Sequence, residues 1–213
     1  MSSPCAQLGF DALLADAEES NRERRFERET GHLPADLTDA LPYYRSLVES
    51  HHTATLAVDF TETLRIRKEA RNLAQRLNHG DPGILAGVDS PGRTLERETV
   101  PQPGSVPLWG QKGKFCVDVC AMRVRVELDG MFGIGMLSGF WPGFSANAVD
   151  FDRPFLSETG YRSFLGIHAE PIPNLTPEVF VREILAAHVA RELKGRLVPI
   201  RRECRASGTA DPP

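Results

Sequence analysis

Two short segments of the chain alternate apolar and polar residues with a period of two, a spacing that suits a half-buried strand and not a helix. In KFCVDV the apolar set is Phe115, Val117 and Val119; in MRVRVEL it is Met122, Val124, Val126 and Leu128. The parity of the set changes between them, which places a turn or bulge near Cys120-Ala121. Asp129-Gly130 carries a two-residue hairpin signal, and Phe132, Ile134 and Met136 then alternate with glycines in MFGIGML. A three-stranded antiparallel meander is therefore expected over 114–137.

Around this sheet the period becomes helical. Phe10, Leu13, Leu14 and Ala17 predict a helix over 10–29. Its second half, EESNRERRFERET, holds Phe26 as its one large apolar residue and reads as a solvated arm. A stripe through Leu37, Ala40, Leu41, Tyr44, Leu47, Val48 and His51 gives a helix over 38–52. Pro42 suits only a first turn, so the start is expected near Asp39. Phe60, Leu64, Leu73, Ala74 and Leu77 mark a third helix over 56–78, stopped by Asn78-His79-Gly80, and the two form an antiparallel αα-hairpin. Thr176-Pro177-Glu178 opens a long last helix, with a capping hydroxyl, a proline at the first position and an acid on the dipole. That helix runs to about Lys194, and Gly195 ends it. RLVPI offers one further strand.

The fold class is α+β: an N-terminal helical arm and an αα-hairpin, then a small antiparallel β-meander packed by one long C-terminal helix. The divisions are an acidic arm at 1–35, the hairpin at 36–80, an irregular Gly/Pro-rich segment at 81–113, an α+β core at 114–200 and a disordered tail at 201–213. Short strands are expected inside the irregular segment, near 93–97 and 106–109.

Charge is unevenly placed. The net charge is −4, yet residues 1–60 hold 11 acidic and 5 basic side chains while residues 61–213 hold 18 and 20. That balance does not suit a general coat for duplex DNA, which needs clustered Lys and Arg. The four cysteines, Cys5, Cys116, Cys120 and Cys204, form no C-x-x-C pair, so reduced thiols in a cytoplasmic protein are expected. Neither a signal peptide nor a membrane span is legible. No cofactor and no metal are expected.

The polar motif DFDRPFLSETGYRSFLG, residues 150–166, is the densest in chemistry. Asp150-x-Asp152 resembles a metal-binding D-x-D but is too short to carry that reading. Arg153 and Arg162 suit forked contacts to a carboxylate or phosphate, or pairing with Asp150, Asp152 or Glu158 inside the chain. Ser157 is placed to cap a short helix over 158–165, and no G-x-S-x-G elbow surrounds it. His168 follows closely, in reach of a general-base role if a neighbour supports it. In GFWPGF, Trp141 either plugs the sheet core or anchors a partner. His188, beside the apolar stripe of the last helix, reads as a satisfied imidazole. Glu192-Leu193-Lys194 matches half of a nuclease signature but falls at a helix end. Arg65, Lys68, Arg71 and Arg76 make one side of the third helix basic.

The blocks VPLWGQ, GMFGIG, WPGFSANAVDFDRPFLSETGYRSFLG and HVARELKGRLVPI resemble an uncharacterised family of hypothetical proteins carried on bacterial plasmids and related mobile elements. The resemblance runs from about Phe10 to Ile200. It implies a cytosolic bacterial setting and an accessory role, and it brings no catalytic residues. The expectation is a non-enzymatic protein that binds a protein partner, with Trp141, Asp152, Arg153, Glu158, Tyr161, Arg162 and His168 near the contact. The alternatives are a small hydrolase or nucleic-acid-processing enzyme using the acids of 150–158 and His168, and a DNA-binding accessory protein acting through helix 56–78.

Overall fold

The computed structural model describes residues 4–134, 136 and 139–207, without the side chains of 4–10 and 206–207. Among these residues the chain forms an α+β fold of six helices and one four-stranded antiparallel sheet, in the order β1-β2-β3-β4. The helices are α1 (Pro4–Thr30), α2 (Leu37–Leu56), α3 (Phe60–Leu77), α4 (Pro91–Arg97), α5 (Pro177–Arg191) and α6 (Arg202–Ser207). The strands are β1 (Gly113–Val119), β2 (Met122–Leu128), β3 (Phe144–Ala148) and β4 (Tyr161–Phe164). No helix among the described residues is long and apolar enough to cross a membrane.

Helices α2 and α3 form the expected hairpin. Tyr43 bonds Glu69 and His51 bonds Arg67, so positions rise on one helix as they fall on the other. Asp36 caps α2 by accepting the Asp39 N–H at 3.1 Å, so the helix begins earlier than Pro42 suggested. Pro42 sits in the second turn on an exposed face, where the carbonyl left without a donor faces water. Asp59 caps α3, accepting from Glu62 N–H at 3.0 Å, which starts that helix four residues later than expected.

Strands β1 and β2 pair as their alternation requires, with Val119 opposite Met122. The parity change is a two-residue turn in which Cys120 and Ala121 have φ of 49° and 62°. Both lie in the left-handed region that hairpin turns of this type demand. The expected third strand does not form at 131–136. Turn bonds run from Gly133 N–H to Gly130 O and from Met136 N–H to Gly133 O, and the sheet resumes at β3. Met131, Phe132 and Met136 are buried while Ile134 is exposed. Phe132 stacks on Tyr44 of α2 at 5.8 Å, so this segment serves the helical side of the molecule. Gly135 and Leu137 lie outside the described residues.

The apolar face of the sheet packs on α5, whose Thr176 hydroxyl caps it from outside. Phe180 of α5 meets Trp141 at 4.6 Å and Trp109 at 5.3 Å. Full burial of a side chain like Phe180 contributes roughly 2–3 kcal/mol. A second core lies between α2, α3 and α4, closed by Met131 and Phe132. The segment 93–97 is helix and not strand, with Pro91 in its first turn, and 106–109 forms no strand. RLVPI contributes a single bridge, Val198 to Phe155. Part of the expected disordered tail is α6, whose Cys204 packs against the sheet core; residues 208–213 lie outside the described set.

Candidate binding surfaces and the polar node behind them

Residues 157–160 form a turn knotted by hydroxyls, and no helix follows. Ser157 Oγ donates to the Tyr161 carbonyl at 2.7 Å, and the Tyr161 N–H donates to Thr159 Oγ1 at 3.3 Å. This turn launches β4, the last strand of the sheet, whose outer edge has no strand beside it among the described residues. Asp152, Arg153, Glu158, Tyr161, Arg162 and His168 are all exposed. Glu158 is tied to Arg201 both through an ion pair and through its carbonyl, which accepts the Arg201 N–H at 2.8 Å. Arg153 and Arg162 form no ion pair among the described residues, so internal salt bridging does not order the motif. Trp141 belongs to the core: it is 3% exposed and its indole N–H donates to the Ala169 carbonyl at 2.9 Å.

The register sets a second group beside Tyr161. Cys116 pairs with Arg125, Arg125 with Asn147, and Asn147 with Tyr161, so one row crosses all four strands. These four residues share the face opposite α5, because neighbours along each strand, such as Val117, Val124, Val126, Ala146 and Ala148, are buried in the core. The row ends at the free edge with a half-exposed tyrosine ring. On the other side of β4, Arg162 lies near His188 of α5. The expected satisfied imidazole is not found there: His188 Nε2 is buried without a hydrogen-bond partner, and the ring stands edge-on to Phe164 at 5.3 Å. Burial, with Arg162 adding to it, lowers the His188 pKa.

Behind this surface lies a polar node that no sequence motif announced. His51 is fully buried. Its Nδ1 bonds the Trp109 carbonyl at 2.9 Å, while the Nε–H of Arg67 donates to its Nε2 at 3.0 Å. Arg67, 2% exposed, also donates to the carbonyls of Met136, Gly139 and Phe140 at 3.2, 2.6 and 2.6 Å. Among the described residues no carboxylate lies against its buried charge; carbonyl dipoles take that place. Burial first, then Arg67, brings the His51 pKa down to about 3, so this imidazole is neutral. Gly110 is required beside it: with φ of 87°, a Cβ there would lie 2.6 Å from His51 Nδ1. Trp109 completes the node, its N–H donating to His52 Nδ1 and its indole N–H to the Leu175 carbonyl.

A third feature is carboxylates in a cleft. Glu96 of α4 is 7% exposed, with Lys112 Nζ 3.7 Å away and Asp129 close by. Burial pushes both carboxyl pKa values up, against the pull of Lys112. The basic side of α3 is largely neutralised. Arg65 pairs with Glu62 and Glu69, while Lys68 and Arg76 pair with Glu29 and Glu27 of α1. Cys116 and Cys120 are free and exposed thiols.

No protein-family model matches the chain, and no solved structure matches it. Two curated Escherichia coli proteins, both named Protein KlcB, are similar to it. One is 38% identical over 125 residues, 58% of this chain and 29% of that protein. The other is 32% identical over 164 residues, 76% of this chain and 34% of that protein. The chain thus spans about a third of the length of the curated relatives it matches.

Proposed function

We propose that this chain is a non-enzymatic, cytoplasmic accessory protein of a bacterial plasmid or mobile element, and that it binds a protein partner. The partner meets the β4 edge and the adjoining open face of the sheet, with Arg153, Tyr161 and Arg162 at the contact and Asp152 and His168 on its margin. The outer edge of β4 carries this reading: among the described residues no strand pairs with it, and although Ser157 and Thr159 hold the Tyr161 backbone groups, the strand exposes the Tyr161 side chain and an Arg162 without an ion-pair partner. Tyr and Arg are the residues that dominate binding at protein interfaces. The family resemblance of the chain supports the plasmid setting.

An enzyme built on Asp152, Glu158 and His168 has less support. All three are exposed and Glu158 is engaged by Arg201; of the acids of 150–158, Asp150 lines a cleft beside Arg153, but Asp152, Glu158 and His168 do not line it. Binding of DNA through α3 is disfavoured by the acids that occupy Arg65, Lys68 and Arg76. The test is capture of partners from nuclease-treated bacterial lysate by the tagged protein, Tyr161→Ala and Arg162→Glu, read by mass spectrometry. A stoichiometric protein partner retained by the wild type and lost by both variants, at unchanged Tm, supports the reading. A partner that both variants hold as well as the wild type sinks it.

A further inference from the structure

Helix α4, the segment after it and the start of β1 enclose a cleft of about 480 Å³. Its volume falls in the range of small-ligand sites, roughly 300–1,000 Å³. Helix α4 supplies Arg93, Glu96 and Arg97, which share one face at spacings of three and four. The other wall is apolar: Val88, Val100, Pro101 and Pro103. Val88 is 79% exposed and Val100 53% exposed, so two large apolar side chains are left in water around one concavity. Exposed apolar residues are ordinary when scattered and informative when they line a cleft.

The charges have a sign. Arg93, Arg97, Lys112 and Lys114 line the cleft against Glu96 and Glu127. Arg97 is engaged elsewhere, by Asp89, Glu98 and the Val88 carbonyl. Arg93 is held in place by its Nε–H, which donates to the Leu85 carbonyl at 2.8 Å, while its terminal nitrogens have no hydrogen-bond partner among the described residues. Lys112 pairs with Glu96 at 3.7 Å, which leaves Arg93 as the cation with free terminal nitrogens. Against the four cations of the cleft stand two carboxylates, Glu96 and Glu127, of which Glu96 is nearly buried.

We propose that this cleft binds a carboxylate carried on a short apolar body, with the carboxylate on Arg93 and Lys112 and the body against Val88, Val100 and Pro101. A cationic ligand would meet fixed cations, and a neutral apolar one would make no use of the terminal Arg93 nitrogens. The chemistry is that of a small apolar acid or of a peptide ending in an apolar residue with a free α-carboxylate. This site lies on different elements from the β4 edge and shares no residue with it, so each proposal can fail without the other.

Titration calorimetry tests it with three probes: decanoate, the peptide N-acetyl-Ala-Val-Leu as the free acid, and the same peptide as its amide. Saturable binding of at least one acid is expected, weaker by about tenfold or more in Arg93→Gln and in Val100→Glu, the loss that follows removal of one charge-assisted contact. Val100 is surface-exposed, so its variant keeps the Tm of the wild type and separates loss of binding from loss of fold. Binding of decanoate alone assigns the site to a free acid; binding of the peptide acid but not its amide assigns it to a chain terminus. Absence of saturable binding by either acid, equal binding of peptide acid and amide without decanoate binding, or full binding by both variants overturns the proposal.

Discussion

Arg67 Nε and His51 Nε2 lie 3.0 Å apart, and the guanidinium is the donor. The contact fixes the imidazole: Nε2 must accept, so Nδ1 carries the proton and donates it to the Trp109 carbonyl. A buried cation therefore rests on a neutral histidine, and through that histidine on the backbone before β1. The same guanidinium holds the carbonyls of the loop before β3, so one side chain joins α3, α2 and both approaches to the sheet.

Acid should undo this node. The folded pKa of His51 is lowered from 6.5 to about 3, so the unfolded chain binds a proton that the folded chain refuses. The stability His51 contributes is fully present above its unfolded pKa and is lost as pH falls from about 6.5 toward 3, at about 1.4 kcal/mol per pH unit. Urea unfolding at pH 7 and pH 4.5 measures it. His51→Gln, which can accept from Arg67 and donate to Trp109 without titrating, should show a smaller acid loss.

Removing the donor is predicted to be costly. Arg67→Met leaves His51 Nε2 and three carbonyls without their partner, and a loss of about 3–5 kcal/mol is expected, the range for breaking a buried charged network. Arg67→Lys keeps the charge but not the planar fork and should approach the same loss. Urea midpoints at pH 7 would decide, and a loss under 1 kcal/mol for both would mean that the loop carbonyls are satisfied by water.

The β1–β2 turn carries removable strain. Neither Cys120 nor Ala121 favours positive φ, whereas Asn-Gly does. The double change Cys120→Asn with Ala121→Gly is expected to stabilise by about 1 kcal/mol, since both residues are exposed and lose no packing. Thermal unfolding of single and double variants checks this.

Glu96 gives the opposite pH signature to His51. Burial raises its folded pKa, so the folded chain holds the proton more tightly than the unfolded one. Stability is then present while the carboxyl is protonated and is lost as pH climbs through its raised value. Glu96→Gln should raise the Tm at pH 7.5 and change it little at pH 4, read by thermal unfolding at both pH values.

Local chemistry made some elements legible. Thr176, Pro177 and Glu178 announce α5 because each acts within one turn, and the parity change at Cys120-Ala121 locates a hairpin because strand period is local. Ser90-Pro91 starts α4 through the fixed φ of proline alone, without a capping hydroxyl or a first-turn acid, which makes it a weaker signal among the surrounding glycines and prolines. MFGIGM misled because its alternation is genuine, but the carbonyls of Met136, Gly139 and Phe140 go to Arg67, some seventy positions away. In the candidate site, the motif at 150–166 was visible as a cluster of polar residues. Which of them face solvent was not, since Tyr161 joins Asn147, Arg125 and Cys116 only through the register of four strands. Trp141 illustrates the limit: an aromatic among Gly and Pro fits a core or a surface equally until its neighbours are placed.

Helix α1 gives the molecule a mechanical asymmetry. It is tied down at its C-terminal turns, by Phe26, the pairs of Glu27 and Glu29 with Arg76 and Lys68, and buried Thr30, while residues 11–25 lie exposed along its length. At 27 residues it is a rod of about 40 Å. A rod hinged at one end adds drag out of proportion to its mass, so the protein should sediment more slowly than a sphere of 23.5 kDa. Force applied near Leu13 would reach α3 as torque on two ion pairs.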